Sequence, residues 1–292
     1  MMKVAFLGLG VMGYPMAGHL ANAGHEMTVY NRSKARVVQW MESYAGMLAP
    51  TPAAAVGEAD VVVCCVGNDD HLREVLLGEN GAFDAMRKGS LFIDHTTASA
   101  EIARELAEIA REKGFGFMDA PVSGGQAGAE KGELSIMVGG SPTDFMHGSS
   151  VLDVYGKTVR LMGPVGSGQL TKMVNQICVA GVIQSLAEGL HFAQAAGLNA
   201  EAVMRVLSKG AASSWQMENR HQSMIQGEYD FGFAVDWMRK DLDIALREAG
   251  NHGIELPVTE LVNEFYGDVQ AMGGGRWDTS SLLARLEAKS KN

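Results

Sequence analysis

The first half of the chain alternates short, continuous apolar runs with longer amphipathic stretches. The apolar runs have the length of strands, and their lack of regular polar positions favours parallel strands that are covered on both faces. They are KVAFLGL, EMTVY, DVVVCCV, SLFIDH, FGFMDAPV, LSIMVGG and TVRLMG. Amphipathic stretches ending at Asn22 and running from Lys34 to Tyr44 predict helices between the first strands. This alternation of strand and helix predicts a doubly wound α/β domain.

The pattern changes after Gly163 and Pro164. From Gln169 to Ala196 no strand-like run occurs, and helix-forming residues predict one long helix. Further helices are predicted at Asn199 to Lys209, Phe233 to Ala249, Pro257 to Ala271 and Ser280 to Lys289. We therefore expect an α/β domain over residues 1–164 and an all-α domain over residues 165–292, joined by the long helix between the domains.

A glycine-rich motif, GLGVMG, follows the first predicted strand and opens the first predicted helix. In this context Gly8 permits a tight turn, Gly10 lets a pyrophosphate approach the backbone, and Gly13 allows close helix packing. The motif predicts a Rossmann-type dinucleotide site that includes Gly8, Gly10, Met12 and Gly13. The alternative is a glycine-rich turn without a ligand.

The end of the second predicted strand should receive the adenine ribose of a dinucleotide. This position holds Asn31, Arg32 and Ser33, and none of them is acidic. An acidic residue would repel a 2′-phosphate, whereas these neutral and cationic donors suit a phosphate. We therefore expect NADP(H) to be preferred, with NAD(H) possible. The alternative for Arg32 is a solvated loop residue.

Charge and cysteine content exclude several other classes of protein. The 292 residues include 24 Lys and Arg against 34 Asp and Glu, which gives a net charge of −10 without a basic run and disfavours nucleic acid as a partner. The three cysteines form neither a disulfide framework nor a metal-ligand pattern, and no HxxxH pair occurs, so we expect no metal site and a cytoplasmic protein. The longest apolar stretch, Ile177 to Ala187, is interrupted by Gln184, so we expect no membrane span.

Four separated motifs together resemble one enzyme family. They are GLGVMGYPMAGHL at Gly8 to Leu20, DAPVSGG at Asp119 to Gly125, GSGQLTKMVNQ at Gly166 to Gln176, and FAVDWMRKD at Phe233 to Asp241. In this order and spacing they are similar to the β-hydroxyacid dehydrogenases, a family that includes 3-hydroxyisobutyrate dehydrogenase, tartronate semialdehyde reductase and glyoxylate/succinic semialdehyde reductases.

The resemblance implies roles for individual residues. It implies that Lys172 is the catalytic residue, that Ser123, Gly124 and Gly125 hold the substrate carboxylate, that Asn175 binds substrate, and that Val66, Thr97 and Lys240 contact the cofactor. It also implies a small carboxylic-acid substrate and a homodimer or homotetramer. The expected activity is NADP(H)-dependent interconversion of a small β-hydroxy acid, or a related hydroxy acid, and its semialdehyde.

The residues themselves support part of this chemistry. Hydride transfer to an aldehyde needs a proton donor, and a buried lysine can serve as one because desolvation lowers its pKa. Lys172 and Asn175 are three positions apart and would share a helix face. From the residues alone, Lys172 and Lys240 could equally be surface lysines, and the Ser123 loop an ordinary turn. His95, beside Thr96 and Thr97, is expected to be a hydrogen-bonded loop histidine.

Two alternative functions stay open. One is an imine reductase on the same scaffold, although such relatives tend to replace the catalytic lysine. The other is a nonenzymatic protein that binds NADP(H) and uses its helical half to contact a partner protein. The segment at Trp215 to Met217 could line a substrate pocket, but packing is the more common role of such residues.

Overall fold

The structure, a computed structural model, describes residues 1–290. Its contacts divide the chain into two compact units, one from Met1 to Lys172 and the other from Met173 onward. One continuous helix, α8 (Ser167–Ala195), belongs to both units, so the division falls within this helix. The predicted domain boundary after Pro164 lies just before the helix and stays a prediction.

The first unit is an α/β domain. Its strands are β1 (Lys3–Leu7), β2 (Glu26–Tyr30), β3 (Met47–Leu48), β4 (Val61–Cys64), β5 (Leu91–Asp94), β6 (Gly116–Asp119), β7 (Val122–Ser123), β8 (Leu134–Gly139) and β9 (Gly156–Gly163). Its helices are α1 (Gly13–Asn22), α2 (Lys34–Ser43), α3 (Pro52–Val56), α4 (Asp69–Leu77), α5 (Ala100–Lys113), α6 (Gly125–Lys131) and α7 (Pro142–Leu152).

The sheet is doubly wound around β1. Strands β3, β2, β1, β4, β5 and β6 lie side by side in that order and are parallel. This order confirms the predicted Rossmann-type fold. The predicted parallel continuation stops at β8, which is antiparallel to both β6 and β7. Because β7 and β8 are antiparallel neighbours, the short helix α6 joins them without a crossover connection.

Both faces of the central strands are buried, as the continuous apolar runs predict. Along β1, Val4 and Phe6 enter one hydrophobic cluster, whereas Ala5 and Leu7 enter the cluster on the opposite face. All four side chains are at most 1% exposed. Helices therefore cover the sheet on both faces, and the carboxyl ends of the strands remain as the edge where a nucleotide binds in such folds.

The described part of the second unit is a set of helices, as predicted. After α8 come α9 (Ala200–Leu207), α10 (Trp215–Gln226), α11 (Val235–Asn251), α12 (Pro257–Ala271), a short 3₁₀ helix (Thr279–Ser281) and α13 (Leu282–Lys289). Helix α12 has the predicted bounds, and the others lie within a few residues of them. Helix α10 was not predicted, although Ser214 caps its first turn and Gly227 ends it with a φ of 71°.

Helix α8 is the longest helix in the part of the chain that the structure describes. By length and composition alone it could cross a bilayer, since its most apolar 18 residues have a mean hydropathy of 1.2. However, 44% of that window is buried inside the protein, and Ile183, Ala187 and Leu190 pack in the core of the helical unit. A core helix of a soluble protein meets the same criterion.

Candidate active site

The glycine-rich turn after β1 leaves free space beside Gly10, close to the N-terminus of α1. A Cβ on Gly8 would lie 2.3 Å from the carbonyl oxygen of Cys65, and one on Gly13 would lie 1.9 Å from the carbonyl oxygen of Gly8. These two glycines are therefore required for packing. A Cβ on Gly10, in contrast, would meet nothing within 4 Å. Helix α1 has no acidic residue in its first turn, and its N-cap residue, Met12, makes no side-chain cap. Open amides and free space fit a pyrophosphate.

The segment after β2 holds this turn in place. The Asn31 side-chain oxygen accepts a hydrogen bond of 2.9 Å from the Leu9 amide, and its amide donates to the Ser33 carbonyl at 3.1 Å. The Asn31 side-chain oxygen therefore stabilises the glycine-rich turn through its hydrogen bond with Leu9. Arg36, which the sequence analysis did not select, donates to the Leu9 carbonyl at 3.0 Å. Arg32 is exposed, and within residues 1–290 its guanidinium makes no hydrogen bond or ion pair.

Hydrogen bonds connect the loops that follow β4 and β5. The Val66 amide donates to the Thr96 hydroxyl at 3.0 Å, and the Thr96 amide donates to the Asp94 carboxylate at 2.9 Å. Thr97 is half-buried in the same loop. The structure therefore ties the loop of Val66 to the loop of Thr97, two of the residues that the resemblance implicates in cofactor contact.

Ser123, Gly124 and Gly125 lie where β7 gives way to α6. Gly124 is the N-cap of α6 with a φ of 137°, and Gly125 has a φ of 61°. A side chain would be strained at both positions. Both glycines are exposed, and a Cβ on Gly125 would meet nothing within 4 Å. Their amides are accessible to an anion in this part of the unit.

Lys172 lies in the second turn of α8 and is only 7% exposed. Asn175 follows one helical turn later, so the two residues share a face of α8, as the spacing predicts. A lysine is rarely buried without a partner, and Lys172 is not left without one. The interpretation of Lys172 as a surface lysine is therefore wrong.

Asn175 begins a hydrogen-bonded chain within the helical unit. Its amide donates to the Gln176 side chain at 2.7 Å, and Gln176 donates to the Asp241 carboxylate at 2.6 Å. The Lys240 ammonium lies 3.0 Å from the other Asp241 oxygen. Gln176 and Asp241 are 3% and 2% exposed, so this chain orients Asn175 and Lys240 through buried groups. Sequence reasoning missed the role of Asp241, although it ends one of the four motifs.

His95 is a buried, hydrogen-bonded loop histidine, as expected. Its Nδ1–H donates to the Ala120 carbonyl at 2.5 Å, and the Tyr155 hydroxyl donates to Nε2 at 2.8 Å. Burial lowers the pKa of His95 to about 4, although the hydrogen bond to the Ala120 carbonyl acts in the opposite direction. The imidazole is therefore neutral at physiological pH, and both of its nitrogens are used inside the unit.

Asp94 is the most unusual carboxyl group of the α/β unit. It is fully buried at the end of β5, and no atom among residues 1–290 donates a hydrogen bond to its Oδ2. Burial raises its pKa to about 7, although the bonds from Thr96 act in the opposite direction. The unfolded chain ionises near 3.8, so the contribution of Asp94 to stability is present in acid and is lost as the pH rises towards 7 and above.

We expect Asp94→Asn to gain stability relative to the parent as the pH rises from 5 to 8. The asparagine keeps an oxygen for the Thr96 amide but has no charge to bury. Urea unfolding at both pH values measures the difference in unfolding free energy. Asp70→Asn, at an exposed position, is the matched control. A difference that is the same at both pH values would contradict the expectation.

The Trp215 segment forms the first turn of α10. Met217 is buried, as expected for packing, but Trp215 is 51% exposed. The guanidinium of Arg220 lies 4.9 Å from the centre of the Trp215 ring and 4.8 Å from that of Phe231. Plain packing therefore describes Met217 and not Trp215.

The sheet order and the open glycine-rich turn define an NAD(P)-binding protein of the Rossmann class. Comparison with known families agrees. Residues 3–163 match the NAD binding domain of 6-phosphogluconate dehydrogenase, and residues 166–286 match the domain described as NAD-binding of NADP-dependent 3-hydroxyisobutyrate dehydrogenase. The chain belongs to the β-hydroxyacid dehydrogenase family.

Individual relatives support this assignment along the whole chain. An uncharacterized oxidoreductase of Shewanella frigidimarina is 61% identical over 98% of this chain and 99% of its own. The 2-hydroxy-3-oxopropionate reductase of Escherichia coli is 36% identical over 98% and 97%. A structure of Mycobacterium tuberculosis 3-hydroxyisobutyrate dehydrogenase with L-serine has a TM-score of 0.88 at 28% identity, covering 98% and 99%. The protein is thus an oxidoreductase of the 3-hydroxyisobutyrate dehydrogenase type that acts on CH–OH groups.

Imine reductases are distant by the same measure. The structure of an imine reductase from Pseudomonas sp. is 18% identical, with a TM-score of 0.64 over 98% of this chain and 99% of its own. That likeness shows the fold alone.

Proposed function

We propose that this protein interconverts a small β-hydroxy acid, or a related hydroxy acid, and its semialdehyde with NADP(H), and that Lys172 is the general acid and base. The observation that carries the proposal is the burial of Lys172 on α8, one turn before Asn175. Two named relatives act on small acids of this kind, 3-hydroxyisobutyrate and 2-hydroxy-3-oxopropionate.

Bound nicotinamide supplies or accepts the hydride. In the reducing direction, negative charge develops on the substrate carbonyl oxygen, and the Lys172 ammonium stabilises it and donates a proton to it. In the oxidising direction, the neutral Lys172 amine accepts the proton of the hydroxyl group. Asn175, oriented through Gln176, binds the substrate beside Lys172. A charged donor has a larger effect in a site that excludes water than on a surface.

The substrate carboxylate is held by the Ser123 hydroxyl and by the amides of Gly124 and Gly125. Consecutive glycine amides at positive φ can converge on an anion. Val66, Thr97 and Lys240 would contact the cofactor, and the turn from Gly8 to Gly13 would receive its pyrophosphate.

A preference for NADP(H) is supported by the segment after β2. Arg32 is exposed and makes no hydrogen bond or ion pair with the residues that the structure describes, and Ser33 is exposed beside it. Asn31 contributes indirectly, because its side chain links the glycine-rich turn to Ser33. This segment contains no carboxylate to repel a 2′-phosphate. NAD(H) is the weaker cofactor in this proposal.

We also propose that the protein is a cytoplasmic homodimer or homotetramer. The helical unit exposes large apolar side chains, including Phe192 at 71% and Val206 at 72%, and burying such groups favours association. Equilibrium sedimentation measures the subunit number.

The proposed reaction is tested by absorbance at 340 nm. NADPH and NADH are each offered with glyoxylate, succinic semialdehyde, tartronate semialdehyde, methylmalonate semialdehyde and a cyclic imine, and NADP⁺ with 3-hydroxyisobutyrate and serine. We expect turnover with NADPH and at least one of the semialdehydes. Turnover only with cyclic imines would favour an imine reductase. NADPH binding without any turnover would favour the nonenzymatic alternative.

A further inference from the structure

The first turn of α8 is capped by a side chain from a distant strand. Asp119, the last residue of β6, accepts a hydrogen bond from the Gly166 amide through Oδ1 at 2.7 Å and from the Gln169 amide through Oδ2 at 2.9 Å. Its carboxyl group is fully buried. Two contacts to amides at opposite ends of one turn determine both the rotation of the helix about its axis and its position along that axis.

The glycines of the GSG motif leave room for this carboxylate. A Cβ on Gly168 would lie 2.8 Å from Asp119 Oδ2 and 2.4 Å from the Met137 carbonyl oxygen. A Cβ on Gly139, in β8, would lie 2.4 Å from Asp119 Oδ1. Gly166 has a φ of 92°, which few other residues adopt. The glycines at positions 139, 166 and 168 are thus accounted for by the approach of α8 to Asp119.

Gln169 links the same turn to the loop after β5. Its side chain, which is fully buried, donates to the Thr96 carbonyl at 2.7 Å and accepts from the Ala98 amide at 3.1 Å. These two groups flank Thr97. Since the Thr96 hydroxyl also accepts from the Val66 amide, a continuous set of hydrogen bonds connects α8 with two loops of the proposed cofactor site.

We propose that Asp119 and Gln169 are positioning residues for Lys172, and that they set its amine in register with the loop of Thr97. This inference rests on the proposed function of Lys172, which lies three positions after Gln169 on the same side of α8. A side-chain head about 6 Å from a helix axis moves about 1 Å when the helix turns by about 10°. A misplacement of about 1 Å in an active site can cost about 100-fold in rate.

The burial of Asp119 argues against a purely local capping role. Ser167 stands at the start of α8 and a serine can cap a helix without burying a charge. The chain instead buries a carboxyl group whose pKa is raised to about 6 by desolvation, against the effect of the amide hydrogen bonds. Ionised Asp119 lowers the stability of the folded protein at neutral pH because its charge is buried. Its two hydrogen bonds fix the orientation of α8.

The test compares Gln169→Met with Gln184→Met. Both residues are buried glutamines on α8, and Gln184 hydrogen-bonds only its neighbour Glu188 within residues 1–290. We expect Gln169→Met to lower kcat about 100-fold with little change in the KM for the acid, because binding groups remain while the proton donor is displaced. Gln184→Met should keep the parental kcat, and Gln169→Met should lose more thermal stability because it leaves the Thr96 carbonyl and the Ala98 amide without their partner.

A second readout does not need turnover. The rate at which an amine reagent modifies Lys172, followed by peptide mass spectrometry, should increase severalfold in Gln169→Met and in Asp119→Asn but not in Gln184→Met. If the parent turns over no acid, the proposed function fails while this readout still tests the positioning role. Equal modification rates in all four proteins would overturn the inference. Asp119→Asn keeps one acceptor oxygen, which covers the case in which Gln169→Met does not fold.

Discussion

Replacement of Lys172 by methionine is expected to lower kcat by about 10²- to 10⁴-fold, the usual contribution of a general acid or base. Methionine retains an unbranched apolar chain, so the packing of the buried lysine stem is largely kept while the proton donor is lost. Initial rates at 340 nm give kcat and KM, and fluorescence titration gives the affinity for NADPH. We expect that affinity to stay near the parental value, because the glycine-rich turn and Arg32 are unchanged.

The control for this variant is Lys88→Met, at an exposed position in the same unit. It should retain parental kinetics. Full turnover in Lys172→Met would contradict the assignment of Lys172 as general acid and base. A loss of NADPH binding in parallel with turnover would instead indicate that Lys172 is needed to form the cofactor site.

The fold was predictable because its signals are local. The apolar runs of β1, β4 and β5 are continuous, and each is buried on both faces of the sheet. Proline at its first position marks the start of α12. In contrast, the direction of β8 depends on which edge of the sheet the chain returns to, and hydrophobic patterning does not specify this.

The geometry of the candidate site was predictable only where residue spacing carried the information, and the roles of its residues stay predictions. Lys172 and Asn175 share a helix face because they are three positions apart in the sequence. The contacts of Asp119, Gln169 and Asp241 join residues far apart in the chain, and no local pattern reveals them. Asn31 is a further case that the sequence did not resolve. Its position suits a contact with the cofactor ribose, but its side-chain oxygen accepts a hydrogen bond from the Leu9 amide.

These long-range contacts follow one physical rule. A buried polar group must find a partner. Asp94 and Asp119 accept hydrogen bonds from backbone amides beyond the strand ends, whereas Asp241 interacts with the side chains of Gln176 and Lys240. Asp94 and Asp119 occupy paired positions on β5 and β6 and face such amides. The side chains of the candidate site are therefore oriented by buried polar residues, and no local pattern in the sequence reveals those residues.

Arg32→Glu is expected to reduce kcat/KM for NADPH by about 100-fold while kcat/KM for NADH stays equal or rises. A hydrogen bond between charged groups contributes about 1.5–3 kcal/mol, and its loss corresponds to roughly 10- to 150-fold. The glutamate adds repulsion of a 2′-phosphate and can accept hydrogen bonds from the ribose hydroxyls of NADH. Initial rates with both cofactors at fixed acid concentration measure the change in preference.

Two variants separate the causes of that change. Arg32→Ala removes the attraction without adding repulsion, so its loss with NADPH should be smaller than that of Arg32→Glu. Arg111→Ala removes an exposed arginine whose partner is its helix neighbour Glu108, and it should leave the preference unchanged. Because Arg32 is exposed, added salt should raise the KM for NADPH in the parent more than in Arg32→Ala. If Arg32→Glu reduces kcat/KM equally for NADPH and NADH, Arg32 interacts with a group that both cofactors share. A preference for NADPH would then not come from the charge of Arg32.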